Sequence, residues 1–372
     1  MREVSEPPAF THSPGAGGEP DYSLSAQLAG DVLWRPAVTE YPGQPDQVIV
    51  GGYCVVGPGR HRETLQLASD GASVSPNFID NERLKAILAF LQGDCFHLHK
   101  PWPISGSRVV FQLRDRETGD IVEPFKFAVV PGKADFDRIP LPGKDRMRRV
   151  AGTADTPVKF LDGGCAAALQ MDALLQATTG RRLNQFKSVL DWGVGCGRVA
   201  RFVKERLVPS ARLTGADIDD FNLEWCRENL PELRTLLFPL MPPTKARGSS
   251  FDLVYGLSVL THLTESVQRA WFVELARLLK PGGIAYLTFN GLIAALYQGR
   301  SSSVLDSIQA RGISDEMRDP ALGEAMTGYY RVTFQAYPHV TAAVEPMFSV
   351  LAHYPHMFGV QDVLILERRR TG

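Results

Sequence analysis

No stretch of this 372-residue chain approaches the roughly 18 consecutive apolar residues that a membrane-spanning helix needs. The opening segment, MREVSEPPAFTHSPGAGGEP, has no apolar signal core and is rich in Pro, Gly and Ser, so residues 1–21 read as a disordered leader. Cysteine is scarce: Cys54, Cys95, Cys165, Cys196 and Cys226 are odd in number and never form a CxxC pair. That pattern argues against a disulfide framework and a zinc site, and fits a reducing cytoplasm. An excess of one charge is lacking as well. Forty Lys and Arg against 41 Asp and Glu leave a net charge of −1, with no global field to attract nucleic acid or an anionic membrane. The 44% hydrophobic and 22% charged content is that of a globular protein.

Along the chain the grammar changes once. Residues 22–144 alternate short β-rich runs with turn signals: QVIVGGYCVV, ETLQLAS closed by Asp70-Gly71, and SRVVFQLRDRETGDIVEPFKFAVV as strand, turn and strand. NERLKAILAFLQ interrupts them with a helical period, and the whole suggests an antiparallel β-sandwich domain. His97 and His99 sit two apart there, without a third metal ligand in the pattern. IPLPGKDRM marks a boundary, and residues 145–186 read as a linker with one or two helices packing on the C-terminal domain.

From Lys187 to the end, strands and helices alternate, which predicts an α/β fold with a doubly wound, mostly parallel sheet. VTAAVEPMFSVLAHY and FGVQDVLILERR break the alternation as helix, strand, strand, so the last strands form an antiparallel edge hairpin.

The segment LDWGVGCGRVAR, Leu190 to Arg201, ends an apolar strand in Asp191 and then places Gly193, Gly195 and Gly197 at alternate positions. Backbone without side chains, at the carboxyl end of a strand and the start of a helix, lets a ligand lie against peptide N–H groups. Gly195, Gly197 and Ala200 also fit the dinucleotide pattern G-x-G-x-x-A, with Asp217 twenty residues past Gly197, which keeps an NADP-dependent oxidoreductase as an alternative. Against it, Asp191 would repel a pyrophosphate, and Gly193 starts the series too early. A carboxylate at Asp191 suits a cationic ligand; capping the next helix is the other use of an aspartate there.

These segments resemble class I S-adenosylmethionine-dependent methyltransferases. VLDWGVGCGR resembles that family's glycine-rich first motif, LTGADID its second strand, FDLVYGLSVLTHL its fourth and LARLLKPGGIAYLTF the helix, turn and fifth strand, while QDVLILER resembles its antiparallel last strand. The resemblance implies S-adenosyl-L-methionine as cofactor. It implies donor-binding roles for Asp191, Trp192, Gly193, Gly195, Cys196, Gly197, Asp217, Ile218, Leu257 and Ser258, with Asp217 on the ribose hydroxyls. Trp192 can pack beside the donor or belong to the core. Asp219 and Asp220 are expected to cap the following helix. The third-strand segment LRTLLFPLMPPTKARGSSFD lacks the acid that many relatives place near the adenine, which leaves backbone or residues such as Leu240 and Met241. FLDGG, with Phe160 and Gly163, is either a segment closing over the donor or a plain linker.

Methyl transfer from a sulfonium needs no metal, and an oxygen acceptor calls for a base. His262 in SVLTHL, just after the fourth strand, is the first candidate; a local hydrogen bond shaping its loop is the alternative. Tyr330, with Tyr329, His353 and His356, completes the set of catalytic candidates. The long segment 291–332 is the expected acceptor lid. The functional expectation is O-methylation of a small-molecule or glycan-type acceptor. A non-catalytic binding module on the same fold is a third reading.

Overall fold

The computed structural model describes residues 32–57, 59–70, 72–87, 93–152, 155–317 and 330–370. The expected leader, Tyr329 and part of the expected lid lie outside the described residues.

The N-terminal region is built from β1 (Val32–Tyr41), β2 (Gln44–Val56), β3 (Leu65–Ser69), β4 (Ala72–Val74), β5 (Asn77–Asp80), α1 (Glu82–Ile87), β6 (Asp94–Pro103), β7 (Val109–Asp115), β8 (Ile121–Val122) and β9 (Ala128–Val130). Strands β1-β2-β6-β5 form one antiparallel sheet, and β4-β3-β7-β8 form another, with β9 on β7. Alternate residues of both sheets, among them Trp34, Cys54, Phe96, Leu65, Phe111 and Leu113, enter one apolar cluster, as the two-residue period of a half-buried strand requires.

Three helices connect this region to the C-terminal sheet: α2 (Lys133–Arg138), α3 (Lys144–Ala151) and α4 (Pro157–Thr179). The spacing that left one or two helices open over 156–179 forms a single helix of 23 residues. Thr156 caps it by accepting from the Lys159 N–H, Pro157 occupies its first position, and Gly180 ends it in the left-handed region at φ 71°. Gly163 and Gly164 lie inside it because they meet Arg198; a Cβ on Gly164 would fall 2.2 Å from the Arg198 carbonyl oxygen.

The C-terminal half comprises β10 (Ser188–Trp192), α5 (Ala200–Arg206), β11 (Arg212–Asp217), α6 (Asp220–Asn229), β12 (Arg234–Leu237), β13 (Phe251–Gly256), α7 (Glu265–Leu278) and β14 (Leu279–Phe289). It continues with α8 (Leu292–Tyr297), α9 (Ser302–Arg311), β15 (Ile313–Ser314), β16 (Phe334–Gln335), α10 (Tyr337–Val344), β17 (Phe348–Phe358) and β18 (Gln361–Arg368). Seven strands form one sheet in the order β12-β11-β10-β13-β14-β18-β17. The first five run parallel; β18 is antiparallel to β14 and to β17, the hairpin that the sequence pattern implied. Every residue of β10 is buried, as expected for a central strand covered on both faces. From β10 the chain winds one way to β11 and β12 and then the other way to β13 and β14. The crevice at the carboxyl end of β10 is therefore the topological switch point, where open α/β sheets bind ligands.

Among the described residues no helix is long and apolar enough to cross a membrane.

Candidate active site

The glycine loop leaves β10 at this switch point. Gly193, Gly195 and Gly197 all adopt positive φ, at 85°, 53° and 72°. A Cβ on Gly193 would lie 2.4 Å from Val259 Cγ2, on Gly195 2.7 Å from Val150 Cγ2, and on Gly197 2.3 Å from Leu230 Cδ1. Conformation and space both require glycine at these positions. The Gly193 and Val194 N–H groups bond the Ala216 carbonyl, which ties the loop to the end of β11.

A cavity of about 140 Å³ opens over this loop. Of the residues singled out in the sequence, Trp192, Gly193, Gly195, Asp217, Ile218, Leu257, Ser258, His262 and Tyr330 line it together. They come from four separate stretches of chain, converging from the ends of β10, β11 and β13 and from the segment before β16. Asp217 presents a carboxylate to this wall. Its Oδ2 accepts from the Gly195 N–H at 2.7 Å and its Oδ1 from the Asp219 N–H at 2.9 Å. Burial pushes its pKa up to about 6, against the pull of those N–H groups.

Asp191, Cys196 and Gly197 are not among the lining residues. Asp191 lies behind the wall, 4% exposed, with Oδ2 accepting from Tyr255 Oη at 2.7 Å. Burial pushes its carboxyl up to about 7. Asp191 is therefore not at the cavity, where the sequence led one to expect it; the acids lining it are Asp217 and Asp219, of which Asp219 is paired with Arg149. Cys196 is fully buried in the apolar core, and Gly197 gives its space to Leu230. Trp192 lines the cavity and also packs on Trp271, ring centroids 5.0 Å apart.

Other wall residues carry no signal in the sequence. Phe238, just past β12, stacks on Trp271 of α7 at 5.8 Å, and Trp271 Nε1 donates to the Leu240 carbonyl at 2.8 Å. This apolar corner stands where the third-strand segment lacks an acid. Leu240 lines it, whereas Met241 is 48% exposed and lies outside the lining. Arg149 and Val150 of α3 cover the glycine loop, and Arg149 Nη2 pairs with Asp219 Oδ2 at 2.8 Å. Asp219 also caps α6 by accepting from the Phe221 N–H, as expected, while Asp220 pairs with Arg227. Phe160, by contrast, is fully buried core beneath Arg201, so α3 rather than FLDGG covers the loop.

His262 sits on a single 3-10 turn, Leu260–His262, after β13. Residues 331–333 run back along this turn. The Arg331 N–H donates to the His262 carbonyl at 3.1 Å, the Thr333 N–H to the Thr261 carbonyl at 2.8 Å, and His262 Nδ1 lies 3.1 Å from the Arg331 carbonyl oxygen. A carbonyl can only accept, so Nδ1 carries the hydrogen and Nε2 holds the lone pair of the neutral ring. The Tyr330 ring stands edge-on to His262, centroids 5.2 Å apart. The other candidates are elsewhere: His353 pairs with Asp362 at 2.8 Å and stacks on Tyr337, and His356 is fully enclosed.

Comparison with known proteins bears on the donor side of this site. Residues 189–283, from β10 into β14, match the family model described as a methyltransferase domain. The C-terminal half thus carries a methyltransferase domain over these residues. S-adenosylmethionine, rather than a nicotinamide, is the cofactor expected of such a domain. Solved structures similar to it include a SAM-dependent methyltransferase from Methanosarcina mazei, at 17% identity over 50% of this chain and 93% of that one, TM-score 0.39. Another is the 1,6-didemethyltoxoflavin-N1-methyltransferase of Burkholderia thailandensis, at 15% identity over 66% and 96%, TM-score 0.38. A third is the N-methyltransferase NodS of Bradyrhizobium japonicum, at 12% identity over 61% and 98%, TM-score 0.38.

The methyltransferase's own residues fit this cofactor. The glycine cradle removes side chains where a nucleoside must approach, Asp217 supplies an acceptor for hydroxyl groups, and Phe238, Leu240 and Trp271 supply an apolar corner for a base.

Proposed function

We propose that this methyltransferase transfers a methyl group to an oxygen atom of a small-molecule or glycan-type acceptor, with His262 as the base. What supports the reading is one relationship. The donor-side residues Gly193, Gly195, Asp217 and Ile218 share a cavity with His262 and Tyr330.

When bound, the cofactor supplies an electrophilic methyl group on a positively charged sulfur. The chain's contribution is placement and proton handling. The glycine loop and Asp217 would hold the nucleoside part, with Trp192, Leu257 and Ser258 along the same wall. His262, with its lone pair on Nε2, would take the proton of an acceptor hydroxyl as the oxygen attacks in line, a task suited to a group titrating near neutrality. Tyr330 would position the acceptor beside that ring. Placement alone is worth several orders of magnitude for such a displacement, because a bimolecular encounter becomes effectively intramolecular. Asp191, through Tyr255, would fix the strand end from which the loop departs.

The proposed division of the chain is a β-sandwich module over residues 22–144, linking helices over 145–186 and the catalytic domain over 187–372. The module would bear on the acceptor, since Arg35 Nη1 of β1 donates to Tyr297 Oη at 2.8 Å and Tyr297 belongs to α8, just after β14. A cytoplasmic setting and a partner other than nucleic acid complete the reading. The deciding experiment measures S-adenosylhomocysteine release with S-adenosylmethionine and separate panels of phenols, sugars, carboxylic acids and primary amines. Turnover on hydroxyl or carboxyl compounds supports the proposal; turnover confined to amines overturns its oxygen assignment.

A further inference from the structure

Ser258 stands on the cavity wall two residues past the end of β13 with φ 61°, a left-handed conformation that a serine adopts only when its surroundings hold it there. Groups on two further strands do so. The Ser258 N–H donates to Thr288 Oγ1 at 2.7 Å, and Thr288 Oγ1 donates to Gln361 Oε1 at 2.7 Å. Gln361 Nε2 then donates to Ser258 Oγ at 3.0 Å, and its Oε1 also lies 3.1 Å from that hydroxyl. The bonds close a ring across β13, β14 and β18, neighbours in the sheet.

The ring matters because of what Ser258 begins. Its carbonyl accepts from Thr261 Oγ1 at 2.5 Å, which folds the chain into the turn that carries His262. The His262 N–H in turn bonds the Val259 carbonyl at 3.0 Å. Val259 is the residue whose side chain fills the space above Gly193. The direction of the Leu257–Leu263 loop, and so the place of the imidazole, is set by the backbone angle at Ser258.

Gln361 is itself held in place. It opens β18 after a tight turn at Gly359, φ 62°. Its neighbour Asp362 accepts from the His356 N–H at 3.0 Å and from His353 Nε2 at 2.8 Å. Those bonds fix the bulged end of β17, where register shifts between Tyr354 and Phe358. A residue on the antiparallel strand, 103 positions from Ser258, thus grips the loop that bears the base.

We infer that Gln361, which does not itself line the cavity, is a positioning residue for the acceptor half of the site: through Thr288 and Ser258 it sets the His262 loop, and with it the rate of methyl transfer, far more than it affects donor binding. This rests on His262 being the base, so its test has one readout that needs no acceptor.

The experiment compares wild type, Gln361→Ala, Gln361→Glu and Thr288→Val. Calorimetry with S-adenosylhomocysteine reads the donor site. Histidine-labelled NMR across a pH series reads the His262 ring, assigned with His262→Gln. S-adenosylhomocysteine release with catechol, methyl glucoside and benzoate reads turnover. In Gln361→Ala and Thr288→Val the His262 resonances should shift and broaden while S-adenosylhomocysteine affinity falls by much less than kcat. On any probe that wild type methylates, kcat should fall about tenfold to a hundredfold, the scale of a misplacement near 1 Å. Gln361→Glu keeps an acceptor for both hydroxyls and should recover most of that loss. An unmoved His262 signal in both ring-breaking variants overturns the inference, as does loss of donor affinity in step with kcat. If wild type methylates none of the probes, the oxygen-acceptor reading fails for them, and the NMR and calorimetry still decide whether the ring positions the loop.

Discussion

Tyr255 Oη and Asp191 Oδ2 lie 2.7 Å apart behind the cavity wall, joining the carboxyl ends of β13 and β10 beneath the glycine loop. Both residues are buried, Tyr255 completely. The acid that opens the glycine motif is therefore satisfied within the protein, and the acids that open onto the cavity are Asp217 and the Arg149-paired Asp219.

The buried pair has a consequence for stability. Asp191's carboxyl is pushed up to about 7 by burial, against about 3.9 for an unfolded aspartate. Between those values the folded chain keeps a proton that the unfolded chain releases. The associated stability is full below about pH 4 and is lost as pH rises through about 7. Asp191→Asn still accepts from Tyr255 and removes the titration. Its stability relative to wild type should rise between pH 5 and pH 7, by up to about 1.4 kcal/mol per pH unit, and then level off. Urea denaturation at pH 5, 6, 7 and 8 checks it; a difference constant with pH contradicts it.

On the proposed reading, Asp217 holds the donor. Asp217→Ala should weaken S-adenosylhomocysteine binding at least about tenfold, near 1.4 kcal/mol, with NADPH binding to neither form. Because burial pushes this carboxyl up to about 6, wild-type affinity should decline as pH falls through that value and the carboxylate is protonated. Calorimetry at pH 5, 6 and 8 measures both effects. Affinity unchanged in the variant would remove Asp217 from the donor site.

Gly193 tests the cradle. Gly193→Ala must adopt φ 85° with its Cβ 2.4 Å from Val259, so alanine brings both strain and a clash. The expected result is loss of S-adenosylhomocysteine affinity by about tenfold or more, with the far-ultraviolet spectrum of the sheet retained. The double variant Gly193→Ala, Val259→Ala, which clears the space, should recover part of that affinity.

On the proposed reading, His262 takes the proton. His262→Ala should lower kcat by about a hundredfold to ten-thousandfold, the usual contribution of a general base, with donor affinity intact. The pH–rate profile should lose its acidic limb, since only the neutral ring can accept. Undiminished turnover in the variant would reduce His262 to the hydrogen bond that shapes its loop.

Much of this fold was legible because α/β alternation writes itself into hydrophobic runs, and the closing pair of strands without a helix announced the antiparallel β18. The glycine loop was legible because three alternate glycines after an apolar strand call for backbone angles and space that a side chain would not allow. The direction of Asp191 was not. In a strand buried on both faces no polar alternation marks which way a side chain points, and its partner Tyr255 is 64 residues away. Trp271 and Phe238 escaped for a related reason: an aromatic residue on an amphipathic helix or after an edge strand looks like ordinary core. Val150 and Arg149 read as part of a boundary segment, since only the tertiary fold lays α3 across the glycines.

The long helix α4 belongs to both halves of the molecule at once. Val158 in its first turn packs into the apolar cluster of the two N-terminal sheets, while the rest of its buried face, from Phe160 to Leu175, packs in the cluster that holds residues of β10 and α5. Asp162 reaches across to accept from the Val129 N–H of β9 at 2.7 Å. A cut before this helix would strip a plug from one core, and a cut after it would expose the flank of the other. The two halves are joined by a common beam, so a graft that exchanges the front module must rewrite the first turns of α4 along with it.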